Sequence, residues 1–518
     1  MLKGFLFSLC LLAWGAPVNL IAASELAKPA DKPAVEPVKD AGKEAAKPAE
    51  PKEELIKSQH SVTINGQKLD YTAVAGTILL RDNEDKPTAA IFYIAYTKDG
   101  EKDLARRPVT FSFNGGPGSA SVWMHLGLLG PRRLLLNDDG TSLPPPYKLV
   151  DNEFSLLDET DLVFIDPVST GFSRAVKPDD AKKFHGVESD LQSVASFIRL
   201  YTTRNTRWGS PKFIIGESYG TTRAAGLTGE LREHQRMNVN GIMLVSTVLN
   251  FETISFARGN DLAYVLYLPT YTAAAWYHKK LPPDLQRLSL SEAMAKAEDF
   301  ATRDYNHALL LGAALPPEAH RATIKQLARL TGLSEDFIDR ANLRVSMSRF
   351  AAELLRAENR VIGRFDARYK GYVRDRLAGG MEYDPTLEAV AGVFASTFND
   401  YVRAELNYKS DLPYEILTGI DWDWGEQNRY LNVAETLADS LTRNPFLRVH
   451  VSVGDYDLAT PWSAVRYTFD HLQVDPDLAK NITLDTYTAG HMMYLNLADL
   501  KKQKADLARF IRDAAVAK

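Results

Sequence analysis

Apolar residues along this chain fall into two arrangements, and each predicts different elements. From Ser58 onward the runs are short and strand-like. SVTINGQKLDYTAVAG sets Asn65-Gly66 between two stretches of alternating character, the signal of a two-residue hairpin. Ala89–Thr97, Pro108–Asn114, Asp161–Asp166, Lys212–Gly216 and Gly241–Thr247 are mostly continuous apolar runs closed by turn residues, as strands buried on both faces require. Helical patterns over Glu188–Tyr201 and Thr221–His234 intervene. This alternation predicts an α/β fold with a central, mainly parallel sheet. From about Asp261 to Leu377 helical patterns such as Ser291–Gly312 and Met347–Gly363 take over, and strand-like runs are scarce. Strands return at Phe446–Asp457 and Ile482–Gly490, followed by a closing helix over Leu497–Val516. The expected organisation is an α/β core over 58–260 and 391–518, interrupted by a helical cap insertion over 261–390. No internal repeat is found.

The N-terminal residues follow neither pattern. Met1 to Ser24 carry Lys3, an apolar run from Phe5 to Trp14 and the small residues Ala22-Ala23-Ser24, the layout of a secretory signal peptide over 1–24. Residues 25–57 contain 27 of 33 positions that are Ala, Lys, Pro, Asp or Glu, too little apolar surface to offset the entropy of ordering, so a disordered linker is expected. Together these predict a protein carried across the inner membrane to the periplasm or the exterior, with no stable membrane insertion after signal cleavage.

Composition narrows the chemistry. The 518 residues are 45% hydrophobic and carry 61 Lys+Arg against 66 Asp+Glu, a net charge of -5 that argues against nucleic-acid binding. The single cysteine, Cys10, sits in the signal segment and excludes a disulfide framework. No H-E-x-x-H or comparable spacing is present, which argues against a zinc enzyme. Neither a cofactor nor a metal is implied.

The strongest local signal is Gly216-Glu217-Ser218-Tyr219-Gly220, set between a buried strand and a helical run. That arrangement exposes a serine hydroxyl on a strained strand-to-helix turn. A serine needs a base oriented by an acid, and the chain order Ser, Asp, His is met downstream. Asp455 and Asp457 end one strand run, and His491 follows the next. The nine other histidines precede the serine, lie in helical or strand patterns, or lack a preceding strand, and are read as surface or packing residues. Asn114-Gly115-Gly116-Pro117-Gly118 follows an early strand, where glycines let a backbone N–H approach an oxyanion.

In combination N-G-G-P-G-S (114–119), F-I-D-P-V-S-T-G-F-S (164–173), G-E-S-Y-G (216–220), G-D-Y-D (454–457) and G-H-M (490–492) resemble the serine carboxypeptidase family, in family order from about Ser58 to the C-terminus. The resemblance implies an α/β-hydrolase fold with an inserted helical cap, and removal of residues from peptide C-termini, typically at acid pH. It implies Ser218 as nucleophile, His491 as base and Asp457, the second aspartate of the motif, as the orienting acid. It further implies an oxyanion hole from the N–H groups of Gly116 and Tyr219. Asn114 and a protonated Glu217 would bind the substrate carboxylate.

The departures are specific. Ser112 and Leu128 stand where many eukaryotic members carry a tryptophan and a second glutamate of the carboxylate network, and Ser119 replaces a disulfide cysteine. Absence of bridges suits a bacterial-type, secreted member. Peptides are the expected partners. An esterase, acyltransferase or aminopeptidase-like enzyme with the same triad is the alternative. A non-catalytic binding protein on a hydrolase scaffold is the third reading, and an intact Ser, Asp and His set argues against it.

Overall fold

The computed structural model describes residues 52–425 and 430–515. The expected signal peptide and nearly all of the expected linker lie outside the described residues. The first strand already begins at Leu55, so the linker's expected end at residue 57 falls inside it.

A ten-stranded sheet forms the centre of the molecule. Its main path uses β1 (Leu55–Ile64), β2 (Gln67–Arg81), β3 (Pro87–Lys98), β4 (Val109–Phe113), β5 (Asp161–Ile165), β6 (Lys212–Glu217), β7 (Gly241–Val245), β8 (Arg448–Gly454) and β9 (Ile482–Tyr487). In space these run β1-β2-β3-β5-β4-β6-β7-β8-β9, and the short strand Arg174–Ala175 pairs with β3 off this path. β1 to β3 form an antiparallel meander, turned at Asn65-Gly66 with φ of 49° and 77° as the hairpin reading requires. β3 pairs antiparallel with β5; from β5 through β9 every pairing is parallel.

Strand periodicity divides the core. Phe92, Ile94 and Tyr96 of β3 join one hydrophobic cluster, and Ile91, Tyr93 and Ala95 join another. Alternate side chains of a strand point to opposite faces, so the two clusters are the two faces of the sheet. Helices α1 (Val187–Arg204) and α2 (Tyr219–His234) cover one face through Val194, Phe197, Ala224 and Leu227. The other face is covered by α4 (Pro385–Ala404) and α5 (Leu497–Ala515), using Phe394, Phe398, Leu507 and Ile511. The result is the α/β-hydrolase arrangement of a mainly parallel sheet between helical layers.

The region between β7 and α4 is largely helical and has its own core, centred on α3 (Leu262–Tyr277). Tyr267 and Tyr271 of α3 are buried there, and Tyr271 stacks on Phe350 at 4.0 Å, so these aromatics serve packing. The predicted helix over Met347–Gly363 is shorter: helix ends at Glu353, Asn359 turns left-handed with φ 54°, and Arg360–Ile362 pairs with Lys370–Tyr372 as a hairpin. The expected insertion boundary at residue 390 falls within α4, which runs unbroken through it. Among the described residues no helix is long and apolar enough to cross a membrane.

Candidate active site

All of the sequence-selected groups fall at the carboxyl ends of the parallel strands, where α/β folds place their ligands. β6 ends at Glu217 and α2 begins at Tyr219, which leaves Ser218 alone on the turn with φ 60° and ψ −129°. That backbone conformation is strained for a residue with a side chain. It is over-determined by neighbours: Ser218 N donates to Val245 O at 3.0 Å, and Ser218 O accepts from Thr221 N at 2.8 Å and Thr221 Oγ1 at 2.7 Å. Ser218 is half-buried amid fully buried neighbours.

The early glycine loop packs directly on this elbow. A Cβ placed on Gly115 would lie 2.4 Å from Tyr219 N and 2.7 Å from Glu217 O. Only glycine fits there, and the fit lays Gly115 against the start of α2. The Tyr219 N–H, at the first helical position, has no acceptor within its own helix. Arg223, one turn into α2, fixes the loop from behind. Its Nη1 donates to Asn114 O at 2.7 Å, and its Nε pairs with the buried Asp190 at 2.7 Å.

Asp457 and His491 meet at 2.7 Å between Oδ2 and Nδ1, both side chains being at most 2% exposed. Asp457 is held by four donors in all: the N–H groups of Ala459 (2.7 Å) and Thr460 (3.0 Å) on Oδ1, and Thr460 Oγ1 (2.6 Å) and His491 on Oδ2. Such a carboxylate binds the Nδ1 proton and leaves Nε2 to act. His491 Nε2 is buried and makes no hydrogen bond among the described residues. Burial alone would depress the imidazole, but Asp457, by charge and by hydrogen bond, raises it above its ordinary value. The loop is tied to the elbow through one strand end: Ser246 Oγ donates to His491 O at 2.5 Å, next to the Val245 carbonyl that holds Ser218. Asp455 takes no part. It is partly buried beside Asp499, and burial and that neighbour push its carboxyl up to about 6.

Asn114 and Glu217 are brought together with a residue that sequence reasoning missed. Tyr494 Oη donates to Glu217 Oε2 at 2.6 Å, and all three side chains are buried. Desolvation pushes the Glu217 carboxyl up to about 7, against the opposing effects of His491, Tyr494 and Asn114. Tyr494 lies three residues after His491 in a run that reads as apolar packing, so no motif singles it out. Ser112 and Leu128 are both buried, and Ser112 Oγ has no partner among the described residues. Phe365, also unforeseen, stacks on the His491 ring with centroids 4.7 Å apart and planes 9° apart. Among the described residues no group of three His, Cys, Asp or Glu is placed to hold a metal ion.

A half-buried serine on the strained turn with the first N–H of α2 beside it, and a buried imidazole whose Nδ1 is bound by a carboxylate while its Nε2 has no partner among the described residues, are groups that acyl transfer uses. Comparison with known proteins agrees. The family model described as serine carboxypeptidase matches residues 66–494. Serine carboxypeptidase-like 35 of Arabidopsis thaliana is 28% identical over 173 residues, 32% of this chain and 34% of that protein. Pheromone-processing carboxypeptidase KEX1 of Saccharomyces cerevisiae is 33% identical over 163 residues, 28% of this chain and 20% of that protein. The matched stretch thus spans about a third or less of the length of these relatives. The crystal structure of KEX1(ΔP), a prohormone-processing carboxypeptidase from Saccharomyces cerevisiae, superposes with a TM-score of 0.54 at 18% identity, covering 85% of this chain and 91% of that one. That likeness establishes the shared fold.

Proposed function

The chain belongs to the serine carboxypeptidase family, and from that premise we propose that it hydrolyses the C-terminal peptide bond of peptides through an acyl-enzyme on Ser218. The observation that carries this reading is the buried group Asn114, Glu217 and Tyr494 adjoining the nucleophile's turn. An esterase, or a peptidase that cleaves away from the C-terminus, has no need of a carboxyl held protonated beside its serine, whereas a carboxypeptidase must receive the free carboxylate of its substrate. With its pKa pushed up to about 7, Glu217 is protonated in acid and can donate a hydrogen bond to that carboxylate, which an ionised neighbour would repel.

In this reading Ser218 Oγ attacks the carbonyl of the last peptide bond, that of the penultimate residue, while His491 Nε2 accepts its proton. The same proton then goes to the departing amine, and water releases the acyl group by the reverse sequence. Asp457 holds the tautomer. The Gly116 and Tyr219 N–H groups receive the oxyanion. The N-terminal pattern of residues 1–24 supports export to the periplasm or exterior, which the N-terminal sequence of the mature protein tests.

The deciding experiment offers one blocked tripeptide as free acid and as C-terminal amide between about pH 4 and 8. Release of the last residue from the acid alone is expected. Equal cleavage of both would overturn the carboxylate assignment. Ser112 and Leu128 favour a second reading, a broader hydrolase or acyltransferase, because neither extends the carboxylate network. Ester hydrolysis without cleavage of either peptide would select it.

A further inference from the structure

The inserted region returns to the core through a strap, residues 363–368, that is bonded to both loops carrying the acid and the base. On the acid side, Leu458 N donates to Arg364 O and Ala367 N donates to Tyr456 O, each at 3.0 Å, so the strap is bonded to the residues on either side of Asp457. On the base side, His491 N donates to Phe365 O at 2.5 Å and Gly490 N donates to Asp366 Oδ2 at 3.1 Å. Arg368 Nη1 reaches Thr488 O at 2.7 Å. The strap is itself anchored to the start of α4: Arg364 N and Phe365 N donate to the two oxygens of Asp384 at 3.1 and 3.0 Å, and Asp366 N donates to Thr386 Oγ1 at 3.1 Å.

One side chain of this strap stacks on the base, and a second lies over the first. The Phe365 ring lies flat on the imidazole, and the Arg364 guanidinium lies over that ring at 5.3 Å from its centre. The guanidinium is therefore no farther from the imidazole than those two stacking distances together. Arg364 is exposed, and among the described residues its guanidinium has no ion-pair or hydrogen-bond acceptor. The other charges of the strap cancel, since Arg368 pairs with Asp366 at 2.6 Å.

We propose that Arg364 and Phe365 are positioning residues for the base: Phe365 fixes the plane of the His491 ring, and Arg364 supplies the positive field that keeps the site's proton on Glu217 rather than on His491. This rests on the reading of His491 as the base. Glu217 and His491 are both buried and influence each other's ionisation. Moving one proton between them leaves the net charge of the site unchanged, so the pair has two forms with the same proton count. Only one is productive, with Glu217 protonated to meet a carboxylate and His491 neutral to accept the Ser218 proton. The charges facing the imidazole are Asp457, Glu217 and Arg364. The two carboxylates favour the imidazolium, hence the unproductive form, and Arg364 is the cation set against them.

The test is the pH dependence of kcat/KM for a neutral ester, which reports the base without the carboxylate site. A unit charge roughly 10 Å away, in an effective dielectric of about 20 to 80, moves a titration by roughly 0.3 to 1 pH unit. Arg364→Gln should raise the acid limb by that amount, Arg364→Glu by about twice as much, and Arg364→Lys should restore it. Because the charge is exposed, added salt should move the wild-type limb in the same direction and leave Arg364→Gln unmoved. Phe365→Leu should lower kcat about 10-fold per site titrated by an organophosphate, with KM unchanged. An acid limb that stays put in Arg364→Glu overturns the proposal. His491→Ala separates the two levels of the argument: turnover retained there removes the base assignment itself. An inactive His491→Ala with an unmoved limb in Arg364→Glu removes only the role of the strap.

Discussion

Among single side chains, Glu217 is where the proposed peptide hydrolysis should part from ester hydrolysis. Its carboxyl is buried, held at about 7 by desolvation, and hydrogen-bonded by Tyr494. A raised carboxyl keeps its proton to higher pH, so peptide hydrolysis should fall as pH passes through about 7 while ester hydrolysis does not. Glu217→Gln cannot ionise, and its peptide activity should lose that fall; the same fall in the variant would remove Glu217 from the carboxylate site. Tyr494→Phe removes a bond that favours the charged form, so the alkaline limb for peptides should move to higher pH, which paired pH profiles would read. Ser218→Ala or His491→Ala should cost turnover on the order of 10⁴-fold or more with the fold intact, turnover being read per milligram of purified protein and the fold by circular dichroism and thermal unfolding. Ser218 and His491 stood out in the sequence because each sits in a short motif after a strand, whereas the choice of Asp457 over Asp455 came only from the family resemblance. Tyr494 and Phe365 did not stand out, because their roles arise from contacts with Glu217 and His491 that span 277 residues in one case and cross from the insertion to the core in the other.

Among elements, the elbow and the glycine loop act as one unit. Gly115 lies against the Tyr219 and Gly220 N–H groups closely enough that a single methyl would separate them. Gly115→Ala should therefore lower kcat by about 10²-fold or more, the usual effect of losing an oxyanion donor, with a smaller change in KM. A variant with normal kcat would mean that the loop does not form the hole. The strands were legible for a related reason: β4 to β7 are buried on both faces, so their apolar runs are continuous and bounded by turn residues. The stretch Met347–Gly363 shows where such reading stops. Its helical period persists to Glu358, yet the left-handed Asn359 and the pairing of Val361 with Gly371 turn the chain into the hairpin that leads to the strap. Pairing partners of that kind are set by tertiary contacts and leave no period in the sequence.

Across the whole molecule, the two ends of the parallel sheet carry separate tasks. The proposed catalytic groups lie at the carboxyl ends, after β4, β6, β8 and β9. At the amino ends, Asp161 opens β5 and is held between Arg107, just before β4, and Arg207, just before β6. The contacts are 3.0 and 2.5 Å, and none of the three side chains is more than 6% exposed. A sheet with a single cysteine in the whole chain has no bridge to close its ends, and this buried cluster holds three strands together there. Removing the carboxylate would leave two guanidinium groups buried without a counter-charge, which costs about 3–5 kcal/mol. Asp161→Ala should lose that much in urea unfolding while the folded fraction, counted by organophosphate labelling of Ser218, keeps wild-type kcat. If kcat per labelled site fell along with stability, the amino ends would be shaping the geometry of the elbow, and the division between the two ends of the sheet would be wrong.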